Sequence, residues 1–442
     1  MASGLIITAP ASGSGKTVVT LSLLRAMRKV GIEVNSIKVG PDYIDPAYHS
    51  VASGNSCRNL DLWGMSNETL LHQQASAIGG SSVVIAEGVM GLFDGAVTGK
   101  SKDAGSTAAA AKWLGWPIIL VVDVTGQGTS VAALVEGFAN HRDDIKIAGV
   151  IFNRVGSPSH ELILREALSI TNIPCIGCIP RHESLHLPHR HLGLIQAREM
   201  SKLEIWLDDV AEIVTRSIDL DLLLKIARPL KSKPTPKSSK DFLPIPVLGK
   251  HTAVAYDDAF SFCYDYVLDA WKTHGVELTF FSPIFGETID PRADSVYLPG
   301  GYPELYANDI AANQEFKETM KVAARNGAVI YGECGGFMVL GGSLIDRDGE
   351  SHEMLNLLPI KTSFVKPRLH LGYRELALID GGALGNTNGR FKGHEFHYCE
   401  VVEDSKTESL FYTKNARGER LQPMGSKLGS VMGSFSHIID TV

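Results

Sequence analysis

Leu5-Ile6-Ile7-Thr8-Ala9-Pro10-Ala11-Ser12-Gly13-Ser14-Gly15-Lys16-Thr17 decides how the first half of the chain is read. An apolar run leads into a glycine-bearing loop that ends in Gly-Lys-Thr, and a helical pattern from Val18 then carries Leu21, Leu24 and Met27 on one stripe. Strand, loop and helix in that order are the context a phosphate-binding loop requires. Backbone N–H groups at the helix start point at the anion, Lys16 reaches the outer phosphates, and the Thr17 hydroxyl is a ligand for Mg²⁺. Ser12, Gly13, Ser14, Gly15, Lys16 and Thr17 are therefore the candidate ATP-binding residues, with Lys16 also a catalytic one.

At 442 residues the chain is too long for one ordinary core and suits two α/β domains. A formal charge of −7 with no dense Lys/Arg stretch argues against a nucleic-acid partner and for small molecules. The longest apolar run, Pro117 to Val124, is too short to span a bilayer, and no basic, apolar, small-residue leader precedes the first strand. The expectation is a cytoplasmic protein with no membrane partner. Six cysteines, mostly inside apolar segments, suit a reducing compartment. Cys175 and Cys178 have CxxC spacing but no second pair, and are expected to be structural thiols in a strand.

Outward from the loop, strands and helices alternate. Val34–Val39 stops at Gly40-Pro41-Asp42-Tyr43-Ile44-Asp45-Pro46, and Val83–Ala86 ends in Glu87-Gly88 followed by Gly91-Leu92-Phe93-Asp94-Gly95. Strands Ile118–Val122, Ile147–Phe152 and Cys175–Ile179 follow, with helices near Thr129–Phe138 and from His160. This alternation predicts a mainly parallel sheet covered by helices, with chemistry at the carboxyl ends of the strands. Mg²⁺ takes hard oxygen ligands, so Thr17, Asp45 and Glu87 are the candidate set, with Asp42 and Asp94 as competitors. The histidines between Arg181 and His191 are spaced irregularly, which favours a basic loop able to hold an acidic substrate over a zinc cage.

From Lys231 to Pro246 the chain is rich in proline, serine and lysine, the mark of a connector. It divides the sequence into residues 1–230, a linker over 231–246, and residues 247–442. A second alternation begins with strand Thr252–Tyr256, a helix over Phe260–Thr273, strand Val276–Phe281, and strand Ser295–Leu298 running into Pro299-Gly300-Gly301. Strand Ala328–Tyr331 then meets Gly332-Glu333-Cys334-Gly335-Gly336. Gly-x-Cys-x-Gly between strand and helix is a nucleophile elbow with sulfur in place of oxygen. The helix end beside it is expected to favour thiolate. His394, His397 and His437, the last in the loop after a predicted strand Ser430–Met432, are the candidate bases.

With these stretches in hand, the chain resembles the a,c-diamide synthases of the cobalamin pathway, which amidate cobyrinic or hydrogenobyrinic acid. The strings that carry the resemblance are Ala9 to Thr17, Lys38 to Pro46, Glu87 to Gly95, Arg190-His191-Leu192-Gly193-Leu194, Gly332 to Gly336 and Gly393-His394-Glu395-Phe396-His397. Pro10, where the strict loop has glycine, also resembles the biotin-synthesis and partition-ATPase branch of P-loop proteins.

The resemblance implies two parts. The first is an N-terminal amidoligase domain similar to dethiobiotin synthetase, in which a substrate carboxylate attacks the γ-phosphate and ammonia converts the acyl phosphate to an amide. Asp42, Tyr43, Ile44, Asp45 and Asp94 then serve substrate activation. The second is a C-terminal class I-type glutamine amidotransferase domain with Cys334 as nucleophile and His437 as base. Gly335 with Gly300 or Gly301 would supply the oxyanion donors.

Class I enzymes carry a glutamate two residues after the histidine. Ile439 stands there, so a Cys-His dyad is expected, with slower glutamine hydrolysis. The implied partners are a corrinoid macrocycle, ATP, and L-glutamine or ammonia, and a homodimer is the candidate assembly. The competitors are the sister synthase for the remaining corrin side chains, a synthase acting on nickel sirohydrochlorin, and a partition-type regulatory ATPase with an inactive amidotransferase module. Wording around Asn59 to Met65 and Leu192 to Arg198 leans towards the metal-free macrocycle.

Overall fold

The computed structural model describes residues 2–98, 104–190, 193–231, 235–236, 238–404 and 407–442. The chain falls into two compact units: one running up to Trp63, over Leu70–Val97 and on to Pro236, the other holding Gly64–Thr69, Thr98 and the chain beyond Lys237.

In the first unit seven strands are parallel in the order β3-β2-β4-β1-β5-β6-β7, where β1 is Ser3–Thr8, β2 Val34–Val39, β3 Arg58–Leu60, β4 Val83–Glu87, β5 Ile118–Asp123, β6 Ile147–Val155 and β7 Cys175–Pro180. Arg228–Pro229 adds an antiparallel edge to β1. Helices cover these strands, so the central ones read as largely apolar runs; all five residues of β4 are buried. Register sets Ile7 and Lys38 on either side of Glu87, so the loop after β1 and the ends of β2 and β4 converge.

Helix α1 (Lys16–Lys29) begins two residues before Val18, because Gly15 takes a left-handed φ of 89° that turns the chain directly into the helix. Its apolar stripe is wider than three residues: Val19, Leu21, Leu23, Leu24 and Met27 all enter the core. Helix α2 (Asp45–Ser53) starts where the sequence suggested only a turn.

The second unit is built on a six-stranded sheet in the order Glu277–Phe281, His251–Ala255, Ser295–Leu298, Val329–Glu333, Val431–Ser434, Ser426–Leu428, parallel except for the last. Beside it lies an antiparallel sheet of Phe411–Asn415, His370–Leu378, Arg390–His397 and Ser436–Thr441. A single residue, Phe435, separates Val431–Ser434 from Ser436–Thr441, so the chain passes straight from one sheet to the other. The helix expected over Phe260–Thr273 is confined to Asp265–Thr273. The residues before it turn on the Asp257 carboxylate and press the Ala259 carbonyl against the Gly300-Gly301 turn.

Ser232–Pro234 and Lys237 of the connector lie outside the described residues. Its later part is not solvated: Phe242 and Ile245 are buried, and the Trp271 indole N–H donates to the Ile245 carbonyl at 3.0 Å. Among the described residues no helix is long and apolar enough to cross a membrane.

Candidate active sites

The loop after β1 is shaped by two glycines with positive φ, Gly13 at 79° and Gly15 at 89°. A Cβ on Gly15 would stand 2.2 Å from Asn153 Nδ2, and that amide donates to the Ser14 carbonyl at 2.9 Å. Asn153, near the end of β6, thus pins the loop from behind. The Ser14 hydroxyl donates to the Ala11 carbonyl at 2.9 Å, closing the turn from within. Ser12 and Gly13 stay exposed, whereas Lys16 is buried, and burial pushes its ammonium pKa down.

Facing this loop is a buried charge network that the acidic motifs only half revealed. The Thr17 hydroxyl donates to Glu87 Oε1 at 2.7 Å, and Lys38 Nζ donates to the same oxygen at 2.9 Å. Lys38 also pairs with Asp45, and His49 Nε2 lies 2.6 Å from Glu87 Oε2. Burial alone would raise the Glu87 carboxyl, but Lys38, His49 and Thr17 hold it far below the usual carboxylate range. Burial works against Lys38 too, yet Asp45 and Glu87 keep it firmly charged. Asp45 is pushed up to about 6 by burial and by Asp42. His49, which burial would depress, is held up to about 10 by Cys57 and Glu87.

Two hard oxygens, Thr17 Oγ1 and Glu87 Oε1, adjoin each other beside the phosphate loop and fit a Mg²⁺ ion. Asp45 shares the Lys38 ammonium with Glu87, so the three expected oxygen ligands stand in one network. The remaining activation residues are spread. Asp42 Oδ1 accepts from the Ile44 and Asp45 amides at 2.8 and 3.1 Å, capping the start of α2. Ile44 packs against the core, Tyr43 is half-buried, and the exposed Asp94 accepts the Gly91 amide at 2.9 Å. His182 and His186 are exposed, and no three-ligand cluster forms among the described residues of their loop; His191 and Leu192 lie outside those residues. Cys175 and Cys178 are free thiols in β7 with sulfurs 3.8 Å apart.

In the second unit, Cys334 sits at φ 46° and ψ −104°, a conformation that costs an L-residue about 1–3 kcal/mol and persists only where its surroundings enforce it. The enforcing contacts are visible. The Cys334 N–H donates to the Ser434 carbonyl at 2.8 Å, the Gly336 N–H donates to the Pro299 carbonyl at 3.1 Å, and a Cβ on Gly336 would meet the Leu298 carbonyl at 1.9 Å. Gly300 lies where thiol and imidazole meet. A Cβ there would be 2.1 Å from His437 Cε1, 2.9 Å from Nε2 and 3.2 Å from Cys334 Cβ. Cys334 Cβ and His437 Cε1 are therefore at most 5.3 Å apart, those two separations laid end to end. A Cβ on Gly335 would stand 3.0 Å from the Gly301 nitrogen, so these two candidate oxyanion amides flank the elbow together.

The structure distinguishes the three histidines. His397 places Nδ1 3.0 Å from the Cys399 carbonyl and Nε2 2.9 Å from Glu395, and it stacks on Phe435. His394 lies across the ladder from His437. His437 adjoins the thiol, but as the second residue of strand Ser436–Thr441 rather than in a loop.

Burial works against the expected thiolate: it pushes the Cys334 thiol well up and Glu304 adds to the effect, while the Gly335 N–H at the helix start opposes them. Burial, with His394 and His397, pushes His437 down to about 3, leaving a neutral imidazole ready to take a proton. His370, Glu395 and His397 bring three possible ligand atoms within 4.8 Å. Arg374 lies 2.6 Å from Glu395 Oε2, which makes the cluster an ion-pair network rather than a cation site.

Lys38, His49, Asn153 and Glu333 are the residues that motif reading missed. Lys38 left a signal, a lone ammonium between Ile37 and Val39 near the end of a strand. The others left none.

Comparison with known proteins follows the same division. Residues 5–195 match the CobQ/CobB/MinD/ParA nucleotide binding domain, and residues 251–441 match the CobB/CobQ-like glutamine amidotransferase domain. Over 440 residues the chain is 48% identical to the hydrogenobyrinate a,c-diamide synthase of Brucella anthropi, covering 99% of this chain and 98% of that protein. The chain belongs to the hydrogenobyrinate a,c-diamide synthase family. The synthase of Rhizobium meliloti is 48% identical over 437 residues and that of Rhodobacter capsulatus 45% over 439, each covering 99% of this chain and 99% and 98% of the relative. Membership of this synthase family fits an α/β chain that pairs a nucleotide-binding unit with an amidotransferase unit, and it makes the chain a glutamine-dependent amide ligase.

Proposed function

We propose that this chain converts the a and c carboxylates of hydrogenobyrinate to amides in the cytoplasm, using ATP, Mg²⁺ and glutamine. The observation that carries the reading is that one chain holds both halves of the chemistry. A strained, buried thiol beside a neutral imidazole releases nitrogen, and a phosphate loop backed by buried carboxylates activates a carboxylate.

At the first centre the loop amides and Lys16 hold the triphosphate, while the Lys38 ammonium offsets Asp45 and Glu87 so that an incoming carboxylate is not repelled. Mg²⁺ held by Thr17 and Glu87 would neutralise charge on the transferred phosphoryl group. The substrate carboxylate displaces ADP from the γ-phosphorus, and ammonia then displaces phosphate from the acyl phosphate, leaving the amide. At the second centre His437 takes the Cys334 proton as sulfur attacks the glutamine amide carbon. The oxyanion faces the Gly335 and Gly301 amides, and the proton passes to the departing ammonia. Water then opens the thioester and frees glutamate.

Replacing Cys334 with alanine tests this division. Glutamine-dependent amidation should fall by about a thousandfold or more, while amidation driven by ammonium salt at alkaline pH continues. Loss of both activities would make Cys334 structural, and retention of both would move the nucleophile elsewhere.

A further inference from the structure

We infer that Glu333 is the acid that orients His437, standing in for the glutamate the chain lacks at Ile439. The inference rests on Cys334 and His437 being the glutamine-hydrolysing pair. Glu333 is the last residue of the elbow strand, immediately before the nucleophile, and is fully enclosed. Its Oε2 lies 3.7 Å from His437 Nδ1, on the opposite side of the ring from Nε2.

Three donors fix the carboxylate in that place. The Tyr297 hydroxyl donates to Oε2 at 2.9 Å, and the Tyr331 hydroxyl donates to Oε1 at 3.0 Å. The Ile438 N–H, one residue beyond the imidazole, donates to Oε1 at 3.0 Å. That last bond ties the acid to the very strand that carries His437, while the Cys334 N–H to Ser434 bond ties the thiol to the preceding strand. Two backbone N–H groups thus tie acid and nucleophile, which are adjacent in the chain, to the strand pair around the base.

A separation of 3.7 Å is longer than a hydrogen bond, as hydrogen bonds to catalytic histidines often are before substrate binds. When His437 accepts the thiol proton at Nε2, the ring becomes an imidazolium, with its Nδ1–H facing Glu333 and a positive charge. The carboxylate beside it is then the natural partner, since a buried cation without one is strongly disfavoured. Glu333 therefore selects the tautomer with hydrogen on Nδ1, keeps the Nε2 lone pair towards sulfur, and stabilises the charged intermediate.

The titratable groups around Glu333 are Tyr297 from the neighbouring strand, Cys263 from the loop before helix Asp265–Thr273, Tyr331 and Cys334 along its own chain, and His437, which His394 and His397 face in turn. Burial pushes the Glu333 carboxyl up to about 7 while the three donors restrain it, so it changes charge within the working pH range.

The test measures glutamine hydrolysis against pH, and ammonia-driven amidation, in the full-length enzyme and three variants. Glu333→Gln should lower the kcat for glutamine hydrolysis by roughly 100-fold or more, because an amide beside Nδ1 selects the wrong tautomer. The KM for glutamine and ammonia-driven amidation should change less than threefold. Tyr297→Phe removes one donor to the carboxylate, so the acid limb of the kcat profile should move to higher pH, a shift that a purely structural glutamate would not produce.

Glutamine hydrolysis within threefold of the parent in Glu333→Gln overturns the inference. So does an unmoved acid limb in Tyr297→Phe, which also decides the matter should Glu333→Gln fail to fold. Cys334→Ala in the same series separates the two levels. If it still hydrolyses glutamine, the glutaminase assignment itself fails; if it is inactive while Glu333→Gln is fully active, only the role of Glu333 fails.

Discussion

Gly300→Ala adds one methyl group at the point where thiol and imidazole meet. The new carbon would be 2.1 Å from His437 Cε1, where ordinary contact begins near 3.4 Å, so the ring must retreat by about 1.3 Å or the turn must open. Gly300 does not have positive φ, so alanine brings no backbone strain of its own, and the effect is confined to the approach of the two catalytic groups. Displacing a reacting group by about 1 Å costs on the order of 100-fold, and we expect at least that loss in kcat for glutamine hydrolysis. Ammonia-driven amidation and the melting temperature should be nearly unchanged.

Gly301→Ala gives the contrast. Its new carbon would be 2.1 Å from the Ala259 carbonyl oxygen, which is backbone and cannot swing aside, so that variant should lose stability instead. Continuous measurement of ammonia release, alongside thermal melts of both variants, separates these outcomes. A folded Gly300→Ala enzyme with glutamine hydrolysis within threefold of the parent would refute the placement of the imidazole against the thiol.

Lys16→Ala and Glu87→Gln should each abolish amidation with either nitrogen source, since each withdraws charge stabilisation at phosphoryl transfer; full ammonia-driven synthesis by either would refute the assignment. Asn153→Ala leaves the buried Ser14 carbonyl without its side-chain donor, at a cost of about 1–3 kcal/mol, and should raise the KM for ATP, read from initial rates against ATP, while glutamine hydrolysis is unaffected. His437→Ala should be nearly as damaging to glutamine hydrolysis as Cys334→Ala, because burial holds the thiol protonated and a base is required. Iodoacetamide should then label Cys334 more slowly, and a variant alkylated as fast as the parent would show that the thiolate forms without His437.

Much of the architecture was legible because parallel strands covered on both faces are largely apolar. Strands Val34–Val39 and Ser295–Leu298 begin and end where the sequence placed them. The elbow and the phosphate loop were legible for a related reason: each demands glycine where a Cβ would collide, and that demand is written in the sequence. The partners of those motifs were not. Asn153 reaches the loop from β6 across 139 residues of sequence, and His49 reaches Glu87 from a helix that the Pro41-to-Pro46 stretch disguised as a turn. The acid expected after His437 was sought at a fixed spacing along the strand. Glu333 lies instead 104 residues earlier, beside Cys334, and only the pairing of Val329–Glu333 with Val431–Ser434 brings it there. Local sequence reports a clash or an apolar face; it does not report which distant polar group the sheet register delivers.

Register also explains why two glutamates in corresponding places behave differently. Glu87 and Glu333 each end a strand of a parallel sheet, each is wholly buried, and each accepts three hydrogen bonds. Burial pushes both upward by the same physics. The donors to Glu87 include the Lys38 ammonium and the raised imidazole of His49, so it stays ionised far below neutrality. The donors to Glu333 are two phenols and one amide, all neutral, so burial wins and the carboxyl rises to about 7. Glu87 therefore keeps its charge across the range in which Glu333 titrates, and Asp45, at about 6, loses its charge only at lower pH than Glu333. Glutamine hydrolysis should consequently decline first on acidification, with the acid limb belonging to the second unit rather than to ATP use.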